Sequence, residues 1–227
     1  LYQSVRKEKG ILKMLKIYGN PLSVFVNKIN FLVIYLGLDH EFIELDPRKG
    51  DLQSAEFLAI NPVGKMPAIV DGDFNLAESL AIMRYLADKN NSDLYPKALE
   101  ERAFVDQWLD FTTVHVGASL LKVAMNKFLY KIFNMEIDLR SLKEGEESLI
   151  RFLPVVETQL QQNKYVCGEK LSLADFSLLA GLGLTDAMDY SLSDYPALSS
   201  WLKDLRAMEF YQTYGKDIPA VLKSMMV

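Results

Sequence analysis

Residues 61–79 read Asn61-Pro62-Val63-Gly64-Lys65-Met66-Pro67-Ala68-Ile69-Val70-Asp71-Gly72-Asp73-Phe74-Asn75-Leu76-Ala77-Glu78-Ser79, a loop, two short strands and a helix start in nineteen positions. The apolar run Met66 to Val70 predicts a strand, Asp71-Gly72-Asp73 a turn, and Phe74 to Leu76 the returning strand. Pro67 cannot donate to a strand ladder, so its place at the strand entry needs a reason. A cis Met66–Pro67 bond supplies one, turning the preceding backbone outward so that its N–H and C=O face an extended ligand. Glu78 and Ser79 then open an amphipathic helix, where free N–H groups and a hydroxyl suit an anion and the carboxylate suits an ammonium. A peptide-like ligand ending in an amino acid fits both halves of the segment.

Working outward, Leu15 to Tyr18 predicts a first strand that ends at the turn Gly19-Asn20-Pro21. Phe25, Ile29, Leu32, Val33 and Leu36 recur at helical spacing after Ser23, and Gly37 closes that helix. A strand at Glu41–Leu45 and a short helix at Ala55–Ile60 complete the order βαβαββα, which ends with a helix from Glu78 to Asp88. This is the order of a thioredoxin-like sheet with helices on both faces. After the polar break Asn90-Asn91-Ser92-Asp93 the strand signals stop. Helical patterns run over Leu99–Tyr130, Glu144–Gln162, Ser172–Met188 and Pro196–Ala207, with a shorter tail helix. The expected fold class is therefore α/β followed by all-α. Its expected limits are an N-terminal extension or expression remnant at 1–13, a ligand-binding domain at 14–89, a linker at 90–98 and a helical domain at 99–227. Within the latter, Ser172-Leu173-Ala174-Asp175 predicts a capping box, flanked by Leu171 and Phe176 as a hydrophobic staple.

Composition narrows the function. Half of the 227 residues are hydrophobic and 11% aromatic, ample for a packed core. Cys167 is the one cysteine, which leaves no intrachain disulfide or zinc cluster and fits a reducing, cytoplasmic compartment. His40 and His115 have no metal-site spacing, so no metal is expected. Phe31 to Leu38, the longest dense apolar stretch, is far short of the roughly 20 residues that span a bilayer. Residues 1–13 carry a net +3, while from Met14 onward 21 basic side chains stand against 29 acidic ones, a net of −8. Such a body repels phosphates, which argues against a nucleic-acid partner.

With these segments in view, the chain resembles the cytosolic glutathione transferases, and among them the serine-type classes phi, delta and theta. The resemblance covers roughly Met14 to Phe210. It rests on the 61–79 segment, with Pro67 followed eleven residues later by Glu78-Ser79, on Tyr18-Gly19-Asn20-Pro21-Leu22-Ser23, and on Tyr165 to Asp175. It implies a homodimeric detoxifying enzyme that joins glutathione, its co-substrate, to a small apolar electrophile. It also implies that Met66 pairs its backbone with the cysteinyl unit beside Pro67, that Glu78 and Ser79 hold the γ-glutamyl end, and that Gln53 or Lys65 takes the glycine carboxylate. The electrophile is expected between the domains, against Val24, Phe25 and the long helix near His115 and Ser119. Dimerisation is expected through the helices at Glu78 and Glu101.

The group that stabilises the thiolate has two candidates. Ser23 lies at the head of the first helix, where a hydroxyl donor and the helix N-terminus both favour the charged sulfur. Ser is also a favoured N-cap, which is the plain structural alternative. Tyr18 is the runner-up, since other classes carry a catalytic tyrosine at the end of the first strand. No cysteine lies near the helix start, which argues against disulfide-reducing relatives. Two departures mark the chain: Val26-Asn27-Lys28 stands where serine-type classes place an arginine, and Leu52 where delta enzymes often have histidine. They keep open a rival reading as a non-catalytic interaction protein on the same fold, such as the stringent starvation protein or translation-factor subunits.

Overall fold

A computed structural model describes residues 14–224, so the expectation for residues 1–13 lies outside the described residues. Strand β1 (Leu15–Gly19) alternates buried and half-buried positions, with Leu15, Ile17 and Gly19 turned into the core. It leads through a tight turn into α1 (Val24–Tyr35) and pairs in parallel with β2 (His40–Glu44). Two short 3-10 turns, Pro47–Lys49 and Asp51–Gln53, precede α2 (Ala55–Ile60). Strands β3 (Ala68–Asp71) and β4 (Phe74–Ala77) form an antiparallel pair, and α3 (Ser79–Lys89) closes the unit. The sheet order is β2-β1-β3-β4, with β1 and β3 antiparallel. This is the expected thioredoxin-like domain, and an all-helical domain follows it.

The helix expected over Leu99–Tyr130 is continuous but not regular. It runs as α4 (Leu99–Asp110), a π-helical stretch at Phe111–Gly117, α5 (Ala118–Ala124), a second π-helical stretch at Met125–Leu129, and α6 (Tyr130–Ile132). Three side chains along it bond back to the chain: Thr112 to the Leu109 carbonyl, Ser119 to that of His115, and Asn126 to that of Lys122. Such bonds compete with the helical ladder and accompany its loosening. Helix α7 (Leu139–Gln162) starts five residues before the expected Glu144. The carboxylate of Asp138 accepts from the N–H groups of Arg140 and Ser141, and this cap starts the helix ahead of Glu144, in a first turn where Leu142 packs against the core.

Helices α8 (Leu173–Ala187) and α9 (Pro196–Ala207) fall where expected, and the tail holds two helices, α10 (Glu209–Tyr214) and α11 (Ile218–Ser224). The capping box at Ser172 and Asp175 is present. Asp175, fully buried, accepts from Ser172 N–H and hydroxyl, from Val166 N–H and from the Trp201 indole. Burial pushes its carboxyl up, and these four donors oppose that push. The anchor ties the α8 start to α9. One hydrophobic core runs through both domains, from Ile17, Ile29 and Leu32 to Leu120, Leu179 and Leu205. A small second cluster, Leu45, Phe57 and Ala68, sits beneath α2.

Candidate active site

Asn20 organises the loop between β1 and α1. Its side-chain amide donates to the Leu45 carbonyl at 3.0 Å, and its Oδ1 accepts from Leu22 N–H at 3.0 Å. Its carbonyl accepts from Ser23 N–H, also at 3.0 Å. Ser23 thus stands at the N-cap position of α1 with extended backbone. Its carbonyl takes the N–H groups of Val26 and Asn27, while its hydroxyl makes no cap bond.

Two adjacent cavities meet around this point. The first, about 310 Å³, is lined by Phe25, Asn61, Val63, Lys65, Met66, Pro67, Glu78 and Ser79. The Met66–Pro67 bond is cis. The paired register of β3 begins at Ala68, which leaves Met66 outside the ladder. Glu78, at φ +68°, is exposed beside the buried Ser79 at the head of α3. Asn61 shapes the opposite rim, donating to the Lys65 carbonyl at 2.6 Å and accepting from Val63 N–H at 3.2 Å. The second cavity, about 270 Å³, has Ser23 in its wall and is otherwise mostly apolar, with Leu121, Met125, Leu129, Leu184 and Leu222 from the helical domain. Phe25 and Met66 belong to both linings, so the two cavities share a wall. At the mouth of the second, the Arg48 guanidinium clasps the Asp46 carboxyl and holds it below the usual carboxylate range.

Lys65, Met66, Pro67, Glu78 and Ser79 therefore come together in the first cavity, as the 61–79 segment predicts, and Ser23 faces the second. Tyr18 goes elsewhere. Strand alternation turns it toward α2, where its ring packs 6.2 Å from that of Phe57, with Leu52 in the same cluster. Gln53 lines neither cavity and packs against Gly64, its Nε2 only 2.8 Å from where a Cβ there would sit. His115 is placed outside the linings of both cavities. It lies on the far side of the long helix, exposed and stacked 4.8 Å from the Phe152 ring of α7, and neither it nor Ser119 lines the apolar cavity. The cavity wall on this helix comes instead from about two to four turns further along. Leu121, Met125 and Leu129 were not singled out from sequence, although their four-residue spacing marks one helix face. Cys167 is also remote, and burial pushes its thiol up to about 12. Among the described residues, no group of three or more His, Cys, Asp or Glu is placed to hold a metal ion. No helix there is long and apolar enough to cross a membrane.

Comparison with known proteins places this geometry. A model of the glutathione S-transferase N-terminal domain matches residues 13–88, and one of the C-terminal domain matches residues 120–209. Glutathione S-transferase F10 of Arabidopsis thaliana is 38% identical over 169 residues, which covers 73% of this chain and 78% of that protein. Glutathione S-transferase F9 of the same plant is 35% identical over 201 residues, covering 85% and 92%. Among solved structures, glutathione S-transferase I bound with lactoylglutathione superposes with a TM-score of 0.81 at 29% identity, covering 94% of this chain and 100% of that one.

Proposed function

The chain belongs to the glutathione S-transferase family, and from that premise we propose that Ser23 holds the thiolate of bound glutathione while it attacks a small apolar electrophile. The protein is a glutathione transferase with glutathione as co-substrate; the roles of individual residues are the proposal. The observation that carries the assignment is the free hydroxyl of Ser23. It sits at a helix N-terminus and makes no cap bond, on a cavity that shares Met66 and Phe25 with the peptide-sized cleft. Glutathione extended over Met66, with its γ-glutamyl end at Glu78 and Ser79, would direct its sulfur toward that shared wall. A hydroxyl donor favours the charged sulfur, and the positive end of α1 adds to it. Lys65 is the better placed of the two candidates for the glycine carboxylate, because Gln53 packs under the loop.

The electrophile would occupy the apolar cavity, whose helical-domain wall at Leu121, Met125, Leu129, Ile132 and Leu184 offers no polar side chain. The domain limits follow as 14–89 and 99–227, joined by the linker at 90–98. A homodimer in the cytoplasm completes the proposal.

The test compares Ser23→Ala with Tyr18→Phe by following thiolate absorbance of bound glutathione against pH. Ser23→Ala should raise the bound thiol pKa and lower turnover at pH 7 with glutathione affinity much less changed. Each pKa unit corresponds to about 1.36 kcal/mol between protonation states. Loss of turnover in Tyr18→Phe with retention in Ser23→Ala would reverse the assignment.

A further inference from the structure

Helix α1 is buried over most of its surface, yet Asn27-Lys28-Ile29-Asn30 sets three polar side chains where a core helix carries apolar ones. Lys28 is only 3% exposed. Its Nζ donates to Thr113 Oγ1 and to Ser177 Oγ, each at 3.2 Å, and these two hydroxyls lie 2.9 Å from one another. The same Nζ is 5.4 Å from the centre of the Phe25 ring. Thr113 belongs to the first π-helical stretch and Ser177 to α8, so both oxygen partners come from the helical domain. A second link runs beside it, where the Tyr214 hydroxyl of α10 accepts from Asn30 at 2.6 Å and donates to Asn27 at 3.0 Å.

Among the described residues, no carboxylate is paired with Lys28. Asp175 of α8 is spent on Ser172, Val166 and Trp201, and Asp186 of the same helix on Arg206. On α3, Arg84 pairs with Asp106, Tyr85 and Lys89 both with Asp71, and Asp88 with Lys97 and Arg102. His115 stacks on Phe111 and Phe152, and Glu209 at the head of α10 is exposed.

We propose that Lys28 is a positioning residue for the transferase reaction, a strut that clamps α1, with Ser23 at its head and Phe25 on the shared wall, to the helical domain through Thr113 and Ser177. The proposal rests on the reading of Ser23 given above. Burial lowers the Lys28 amine from its ordinary 10.5 to about 7. As a neutral amine it closes a ring: Nζ–H donates to Thr113 Oγ1, the Thr113 hydroxyl to Ser177 Oγ, and the Ser177 hydroxyl to the Nζ lone pair. Protonation removes that lone pair, and one hydroxyl proton then has no acceptor within the triangle. The sign follows from linkage. Between about pH 7 and 10.5 the unfolded chain binds one more proton at this site than the folded chain, so stability gained from Lys28 rises with pH across that window and is least below it.

The experiment uses Lys28→Met, which keeps an unbranched apolar stem, together with Ser177→Ala and the double variant. Lys28→Met should lower kcat/KM for the electrophile several-fold, with glutathione affinity and the bound thiol pKa nearly unchanged. Ser177→Ala should lower it less, and the double variant should be no worse than Lys28→Met alone. The urea midpoint of the wild type relative to Lys28→Met should climb from pH 7 to pH 10. Additive losses in the double variant, unchanged kcat/KM in Lys28→Met, or a midpoint difference flat with pH would each overturn the strut. Should Lys28→Met not fold, Thr113→Val with Ser177→Ala applies the same cycle from the acceptor side. The two proposals fail separately, because only Ser23→Ala is expected to move the thiol pKa.

Discussion

Glu78 holds φ +68°, a conformation that costs a non-glycine residue roughly 1–3 kcal/mol and that concentrates at functional sites. The strain places an exposed carboxylate over the first buried residue of α3, on the rim of the peptide-sized cleft. Two substitutions separate its backbone from its charge. Glu78→Ala keeps the strain and removes the carboxylate, and glutathione binding measured by calorimetry should weaken by roughly 1.5–3 kcal/mol, the range for a charged hydrogen bond. Glu78→Gly should weaken binding similarly while raising the thermal midpoint, because glycine accepts positive φ without penalty. Equal binding by both variants and the wild type would remove Glu78 from the site. Residues of this cleft were legible because they are contiguous: one strand entry and one helix head specify Met66, Pro67, Glu78 and Ser79 together. Ser23 and Tyr18 could not be separated that way. Which of them reaches the cavity depends on the face of β1 that α2 covers, and Phe57, the residue that claims the Tyr18 ring, lies 39 positions further along the chain.

At the scale of elements, apolar periodicity was sufficient for α1, α3, α8 and α9, and insufficient where polar chemistry sets the structure. The start of α7 depends on the Asp138 cap, and the two π-helical stretches interrupt a helix whose apolar pattern reads as uniform. The second of these stretches carries Met125 and Leu129 into the apolar cavity, and the first carries Thr113 to Lys28. His115 does not line the apolar cavity although it is near in sequence to residues that do, because the face of the helix decides what a side chain meets. The crossing of α5 and α7 rests on close approach at Gly145. A Cβ there would lie 3.0 Å from Lys122 Cβ and from a Val123 methyl, and 3.1 Å from the Ser119 carbonyl oxygen. Gly145→Ala gains about 1 kcal/mol in helix propensity. It must also push two helices apart against a backbone oxygen, and overpacking of this kind costs about 1–3 kcal/mol. A lower urea midpoint is therefore expected, and with it a shifted electrophile KM, since Leu121 and Met125 move with α5 and its extension. A midpoint raised by Gly145→Ala would show the crossing to be looser than these distances state.

For the whole molecule, the homodimer rests on family resemblance, and exposed apolar side chains at Val63, Phe74 and Phe104 are available to it. Sedimentation at micromolar concentration should return about twice the 25.8 kDa chain mass; the single-chain mass would contradict it. Within each chain the two domains share one hydrophobic core, and α1 is tied to the helical domain by Lys28 and by the Asn27–Tyr214–Asn30 bonds. Unfolding the helical domain alone would bare the apolar face of α1 and leave these polar groups without partners, so the two should melt together. Both tryptophans, Trp108 on α4 and Trp201 on α9, lie in the helical domain, whereas the cleft assigned to glutathione is built wholly from the other domain. Tryptophan fluorescence therefore reports on the domain that glutathione barely touches. If binding and folding are coupled across the shared core, glutathione at about a hundred times its dissociation constant should stabilise the tryptophan-monitored transition by about 2.7 kcal/mol. The transition seen by far-ultraviolet circular dichroism should move by the same amount. Protein concentration must be held fixed throughout, because the stability of a dimer would vary with it. A tryptophan transition that stays in place while circular dichroism splits into two steps would mean that the domains unfold independently, and that α1 is not held as Lys28, Asn27 and Asn30 imply.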